Sequence, residues 1–120
     1  MKRDFELIRN LLNQLEDLPA CTSVSELNAE GFSSQEIMEH VELLLDANFL
    51  RGKIIPNTDG KPEKYLIHRI TWAGHEFIAL AKNDTVWKSA LEQIKKAGSA
   101  VTIGILQTKL TTIFNALLVI

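Results

Sequence analysis

Apolar residues recur at helical spacing from the start of the chain: Phe5, Ile8, Leu11, Leu12, Leu15 and Leu18 fall on one side of a 3.6-residue period, with charges between them. This predicts an amphipathic helix from about Arg3 to Asp17, ended by Pro19. The next stretch, Ala20 to Phe32, is less regular. Val24-Ser25-Glu26-Leu27 is compatible with a short strand, and Gly31 supplies a turn before a second helix capped by Ser33 or Ser34. That helix directs Ile37, Val41, Leu44 and Leu45 to the core. Lys53-Ile54-Ile55 and Tyr65-Leu66-Ile67 then flank a seven-residue run of turn formers from Pro56 to Pro62, which predicts a hairpin over residues 51 to 69 with a tip long enough to move.

Thr71 is placed to cap a helix running through Lys82, with Gly74 allowing a close approach in its first turn. Asn83 or Asp84 caps a further helix carrying Val86, Trp87, Ala90, Leu91 and Ile94, which stops near Gly98. Thr102 opens the last one. The expected class is mainly α with a small β-hairpin (α+β). Helix, hairpin and capped helix follow in the order of a winged helix-turn-helix domain. The expected organisation is a winged-helix-like domain over residues 1–82 and a C-terminal helical extension over 83–120 that packs on it or mediates dimerisation.

The formal net charge of -2 offers no global attraction to a polyanion, so any nucleic-acid contact must come from a local patch. The hairpin carries one: Arg51, Lys53, Lys61, Lys64 and Arg69 outnumber Asp59 and Glu63. These five are the candidate contacts to the phosphate backbone of duplex DNA. The helix before the hairpin tells the opposite story. With Ile37 facing the core, Gln35, Glu39, Glu42 and Asp46 fall on the outer face, and residues 34 to 49 contain no Lys or Arg. Such a face repels phosphate and suits a protein partner, so a protein-interaction module that does not bind DNA is the alternative reading.

His75-Glu76-Phe77-Ile78-Ala79 begins like a zinc-protease helix, but position 79 is Ala and the second histidine ligand is missing. His40, His68 and His75 are too scattered to be read as ligands; His40 and His75 are expected to hydrogen-bond at the edge of the core. Cys21, the only cysteine, has no evident base partner, and no Gly-rich phosphate loop is present. No catalytic residue, metal or cofactor is expected. Trp72, Phe77, Trp87 and Phe114 lie in helical patterns and are expected to pack in the core rather than stack on bases.

In the final helix Ile103, Leu106, Leu110, Ile113, Leu117 and Ile120 form one apolar stripe, widened by Ile105, Phe114, Leu118 and Val119, which favours a homodimer. Lys109, Gln107, Asn115 and several threonines argue against a membrane span there, and no export signal is expected at the start, so the cytoplasm is the expected location.

Several strings coincide with a known pattern: Met1-Lys2-Arg3-Asp4 with Leu7-Ile8-Arg9, Gly31-Phe32-Ser33, His40 with Leu43-Leu44-Leu45-Asp46-Ala47, Ile70-Thr71-Trp72-Ala73-Gly74-His75-Glu76-Phe77, and Asp84-Thr85-Val86-Trp87-Lys88. Together they resemble domain-of-unknown-function family 2513, an uncharacterised family of short bacterial and prophage proteins, over about residues 1 to 106. The resemblance implies a small cytoplasmic protein of winged-helix type and implies no activity; read as a binder, the chain is expected to be a regulatory or accessory protein of prophage type. The chain departs from the family's lysine-rich, polar C-terminus in ending Asn115-Ala116-Leu117-Leu118-Val119-Ile120, which points to burial or self-association.

Overall fold

A computed structural model describes residues 2–19, 21–97 and 101–118. Its elements are α1 (Phe5–Glu16), α2 (Ser34–Asp46), β1 (Leu50–Pro56), β2 (Pro62–Ile70), α3 (Trp72–Ala81), α4 (Asp84–Ala97) and α5 (Ile103–Leu118). Five helices and one antiparallel hairpin make a mainly α chain with a small β component. It divides into two compact units, Met1–His75 and Glu76–Ile120.

The first unit is assembled by helix ends that satisfy their own backbone groups. Asp4 caps α1, its Oδ1 accepting from Leu7 N at 3.1 Å. Ser33 and Glu36 form a capping box at the start of α2. The far end of α2 closes in a Schellman motif: Asn48 sits at φ 64, and the N–H groups of Asn48 and Phe49 donate to Leu45 O and Leu44 O. This turn aims the chain directly into β1. His40, only 2 % exposed, ties α2 to α1, since its Nε2 accepts from Asp4 N at 2.9 Å and its Nδ1 lies 2.8 Å from Glu36 O. An acceptor at Nε2 places the ring proton on Nδ1, where it donates to that carbonyl. The structural role expected of His40 holds.

β1 and β2 pair Leu50 with Ile70, Arg51 with Arg69, Gly52 with Ile67, Lys53 with Leu66, Ile54 with Tyr65, Ile55 with Lys64 and Pro56 with Pro62. The register shift beside Arg51 leaves His68 as the extra residue of a bulge. Tyr65, Ile67 and Ile70 are buried on the inner face, together with Leu50. The strands run further than the sequence suggests, so the tip is short and tied down. Asn57 Oδ1 accepts from Asp59 N and Lys61 N, Asn57 N donates to Lys61 O at 2.8 Å, and Gly60 turns at φ 79.

Between α1 and α2 the compatible strand reduces to one bridge, Val24 with Ile67, whose N–H and C=O groups exchange bonds of 2.9 and 2.8 Å on the free side of β2. Residues 21–33 contain no helix. Tyr65 anchors this stretch, its Oη accepting from Leu27 N at 2.6 Å. Burial, and secondarily the negative charge of Glu26, raise the Tyr65 pKa, while the bond from Leu27 partly opposes them. A raised value means that the folded state holds its phenolic proton where the unfolded chain would release it. The associated stability is therefore present below about pH 10 and is lost as pH rises above that. Tyr65 is the only tyrosine, so phenolate absorbance should titrate above the free-tyrosine value in the folded protein and at it in denaturant. Tyr65→Phe strands the Leu27 N–H and should cost about 1–3 kcal/mol in a denaturant melt.

In the second unit Phe77 and Trp87 meet edge to face, with centroids 6.3 Å apart and planes at 90°. Asn83 caps α4 through Val86 N, and Thr102 caps α5 through Ile105 N. Leu106 and Leu110 of α5 are fully buried. No helix among the described residues is long and apolar enough to cross a membrane.

Candidate nucleic-acid interface

Strand alternation separates the hairpin into two chemical faces. Opposite the buried side, β1 presents Arg51, Lys53 and Ile55, and their cross-strand partners Arg69, Leu66 and Lys64 stand on the same side. Arg51, Lys53, Lys64 and Arg69 are all exposed, and Lys61 adds a fifth exposed cation at the tip. Arg51 and Lys53, two residues apart, are separated by about 7 Å along the strand. The five residues singled out in the sequence are thus on one hairpin, and four of them share one face.

Arg51 and Arg69 are direct cross-strand partners. Like charges directly opposed on a ladder destabilise it, and an anion bound between them would relieve that repulsion. Arg69 Nη1 reaches back to Ile70 O at 3.3 Å, a weak tether that leaves the rest of the guanidinium fork available.

α2 presents the acidic surface expected of it. Gln35 and Asp46 are exposed, Glu39 and Glu42 are half-buried, and Glu36 adds a further exposed carboxylate at the first turn. Leu45, expected in the core, is only half-buried, whereas Met38 and His40 are buried.

Two aromatic and histidine expectations fail, and for one geometric reason. Trp72 is 80 % exposed, and His75 is exposed as well. On α3, with Phe77 fixed in the core, Trp72 lies about 140° away around the helix and His75 about 160° away, so both must face outward. Phe77 and Trp87 do pack in the core, while Phe114 is half-buried. A wheel centred on Phe77, rather than on the first apolar residue after the cap, would have placed Trp72 outside.

The apolar stripe of α5 is likewise split. Leu106 and Leu110 are consumed within the chain, so they are not available to a second copy. Ile103 and Ile113 are half-buried, Leu117 is exposed with Ile105 and Leu118 beside it, and Ile120 lies outside the described residues. The outer threonines of this helix turn their hydroxyls inward: the Oγ1 atoms of Thr108, Thr111 and Thr112 donate to the carbonyls of Gly104, Gln107 and Thr108. Among the described residues no three His, Cys, Asp or Glu side chains come together as a metal cluster would require.

Comparison with known proteins places the chain in a family. Residues 2–100 match the family described as "Hypothetical protein (DUF2513)". An uncharacterized protein of Haemophilus influenzae is 32 % identical over 120 residues, a span covering 98 % of this chain and 99 % of that relative. The similarity to this relative extends beyond the family match into the residues of α5. No solved structure matches the chain. The chain belongs to the DUF2513 family.

Proposed function

We propose that this member of the DUF2513 family acts by binding rather than catalysis, with the β1–β2 hairpin serving as the wing of a reduced winged-helix domain that grips the phosphate backbone of duplex DNA. The observation that carries this reading is the outward ladder of Arg51, Lys53, Lys64 and Arg69, with an arginine pair opposed across the strands. The domain is reduced because the stretch before α2 keeps one bridge to β2 and contains no helix. Its α2 face is acidic, so insertion of that helix into the major groove is electrostatically opposed, and the wing makes the contact alone. Phosphate contacts position a protein without specifying sequence, which suits a regulatory or accessory protein of prophage type working in the cytoplasm with other components. The exposed Ile105, Leu117 and Leu118 of α5 support pairing of two copies.

The test is fluorescence anisotropy of a labelled random-sequence duplex at several salt concentrations. Contact through four to five phosphates predicts that log affinity falls with log salt with a slope of about -4. Absence of binding at low salt by the folded protein would reject the wing reading. It would favour the alternative, for which the acidic surface of Gln35, Glu39, Glu42 and Asp46 and the bare indole of Trp72 are the supporting observations: a protein-interaction module with a basic partner.

A further inference from the structure

A half-open cleft of about 400 Å³ lies within the first unit, lined on one side by the end of α1 with Leu18, Pro19, Cys21 and Thr22 and on the other by the last residues of β2. We infer that this cleft binds a small organic monocarboxylate with a phenyl or short alkyl body. Its volume falls in the range of small-molecule sites, and its construction has the two parts such a ligand needs. Leu15, Val24, Ile67 and Ile70, all buried residues, supply apolar walls. At the rim stand His68, Arg69 and His75, three side chains that donate hydrogen bonds or carry positive charge.

The bulge in β2 leaves His68 and Arg69 as two consecutive exposed residues near the end of the strand, and both line the cleft. His75, exposed in the first turn of α3, completes the polar part of the lining. The bond from Arg69 Nη1 to Ile70 O holds the guanidinium near the rim and leaves donors on its other nitrogens. Glu16 is the carboxylate of the lining and already has an interaction within the chain. An inorganic anion would leave the apolar walls wet, and an uncharged hydrocarbon would leave the rim unused. A carboxylate on an apolar body satisfies both. This site is separate in its evidence from the hairpin's phosphate-binding face, although Arg69 belongs to both.

The cleft has its own reporter. Cys21, the only cysteine, is exposed and lines it. The experiment follows carbamidomethylation of Cys21 by iodoacetamide, a neutral reagent, in the full chain with increasing 4-phenylbutyrate, and with 4-phenylbutanol as the uncharged comparison. The expected result is saturable protection by the carboxylate, at least tenfold weaker protection by the alcohol, and about a tenfold weaker effect of the carboxylate on the Arg69→Gln variant. Imidazole NMR shifts of His68 and His75, but not of buried His40, should move with the same saturation curve. Thr22→Trp, an exposed substitution in the lining, should occlude the cleft and abolish the ligand-dependent shifts while preserving the fold. Protection that fails to saturate, equal protection by the alcohol, or an unchanged response in Arg69→Gln would overturn the assignment.

Discussion

Gly74→Ala should destabilise the protein by about 3 kcal/mol, a fall of roughly 12 °C in melting temperature for a chain of this size. The direction is opposite to that of local helix preference, which favours alanine over glycine in a helix by about 1 kcal/mol. The reason is the backbone of the preceding junction. A Cβ on Gly74 would lie 2.3 Å from Phe49 O and 2.6 Å from Ile70 Cγ2. Phe49 O is also the acceptor for Thr71 N at 3.0 Å, and Thr71 Oγ1 donates to Asn48 O at 2.6 Å while accepting from Gly74 N at 3.1 Å. The methyl group therefore meets a carbonyl that cannot withdraw without breaking the bonds joining the α2–β1 turn to the start of α3. Gly104→Ala provides the internal contrast. Its nearest neighbour is Thr102 Oγ1 at 3.7 Å, an ordinary contact, so that substitution should be neutral or stabilise by up to about 1 kcal/mol. Thermal melts of the two variants side by side decide the matter; a Gly74→Ala protein as stable as the parent would show that the junction yields freely.

Reversing Lys61 and Lys64 to glutamate together should lower duplex affinity by about a hundredfold at low salt, and should flatten the salt slope by about 2 as two phosphate contacts are lost. Both side chains are exposed. Surface changes of this kind ordinarily alter stability by about half a kcal/mol or less, so the far-UV circular dichroism and melting temperature should be unchanged. Lys64 faces Ile55 across the strands rather than another cation, and Lys61 is held at the tip through its backbone bonds with Asn57. Neither reversal creates or removes a cross-strand charge pair. Undiminished affinity in the double variant would remove the hairpin from the binding surface and leave any duplex contact to be found elsewhere. The Arg51 and Arg69 pair is the less suitable first target, because separating opposed like charges would itself stabilise the hairpin and mix two effects.

Capping residues were the most legible part of the fold, because a short polar side chain satisfying a helix end is a local event. Ser33, Thr71, Asn83 and Thr102 all do what their positions in the sequence suggest. The hairpin was legible from its turn formers, though the strands extend to the prolines and the tip is correspondingly shorter. Less could be read where a tertiary partner decides. Val24 makes a bridge and no strand because one residue of that stretch reaches β2. Residue type suggests packing for Trp72 and a hydrogen bond at the core edge for His75, yet their angular distance from Phe77 sends both outward. Periodicity in α5 identified its apolar side but could not say how much of it the chain itself would cover; Leu106 and Leu110 show that the middle of the stripe is used internally. The candidate interface lay in between. Its five cations were visible in sequence, but the arginine pairing depends on the bulge at His68, which composition does not reveal.

Pro56 and Pro62 stand opposite each other where the two strands meet the tip. Neither residue has an N–H to offer, and Arg51 and Lys53, earlier in β1, are exposed charged residues. A free strand edge is ordinarily a template on which another extended chain can assemble, and prolines and charged side chains are the common means of blunting it. The same residues that give the hairpin its positive face thus also act against edge-to-edge pairing of one hairpin with another.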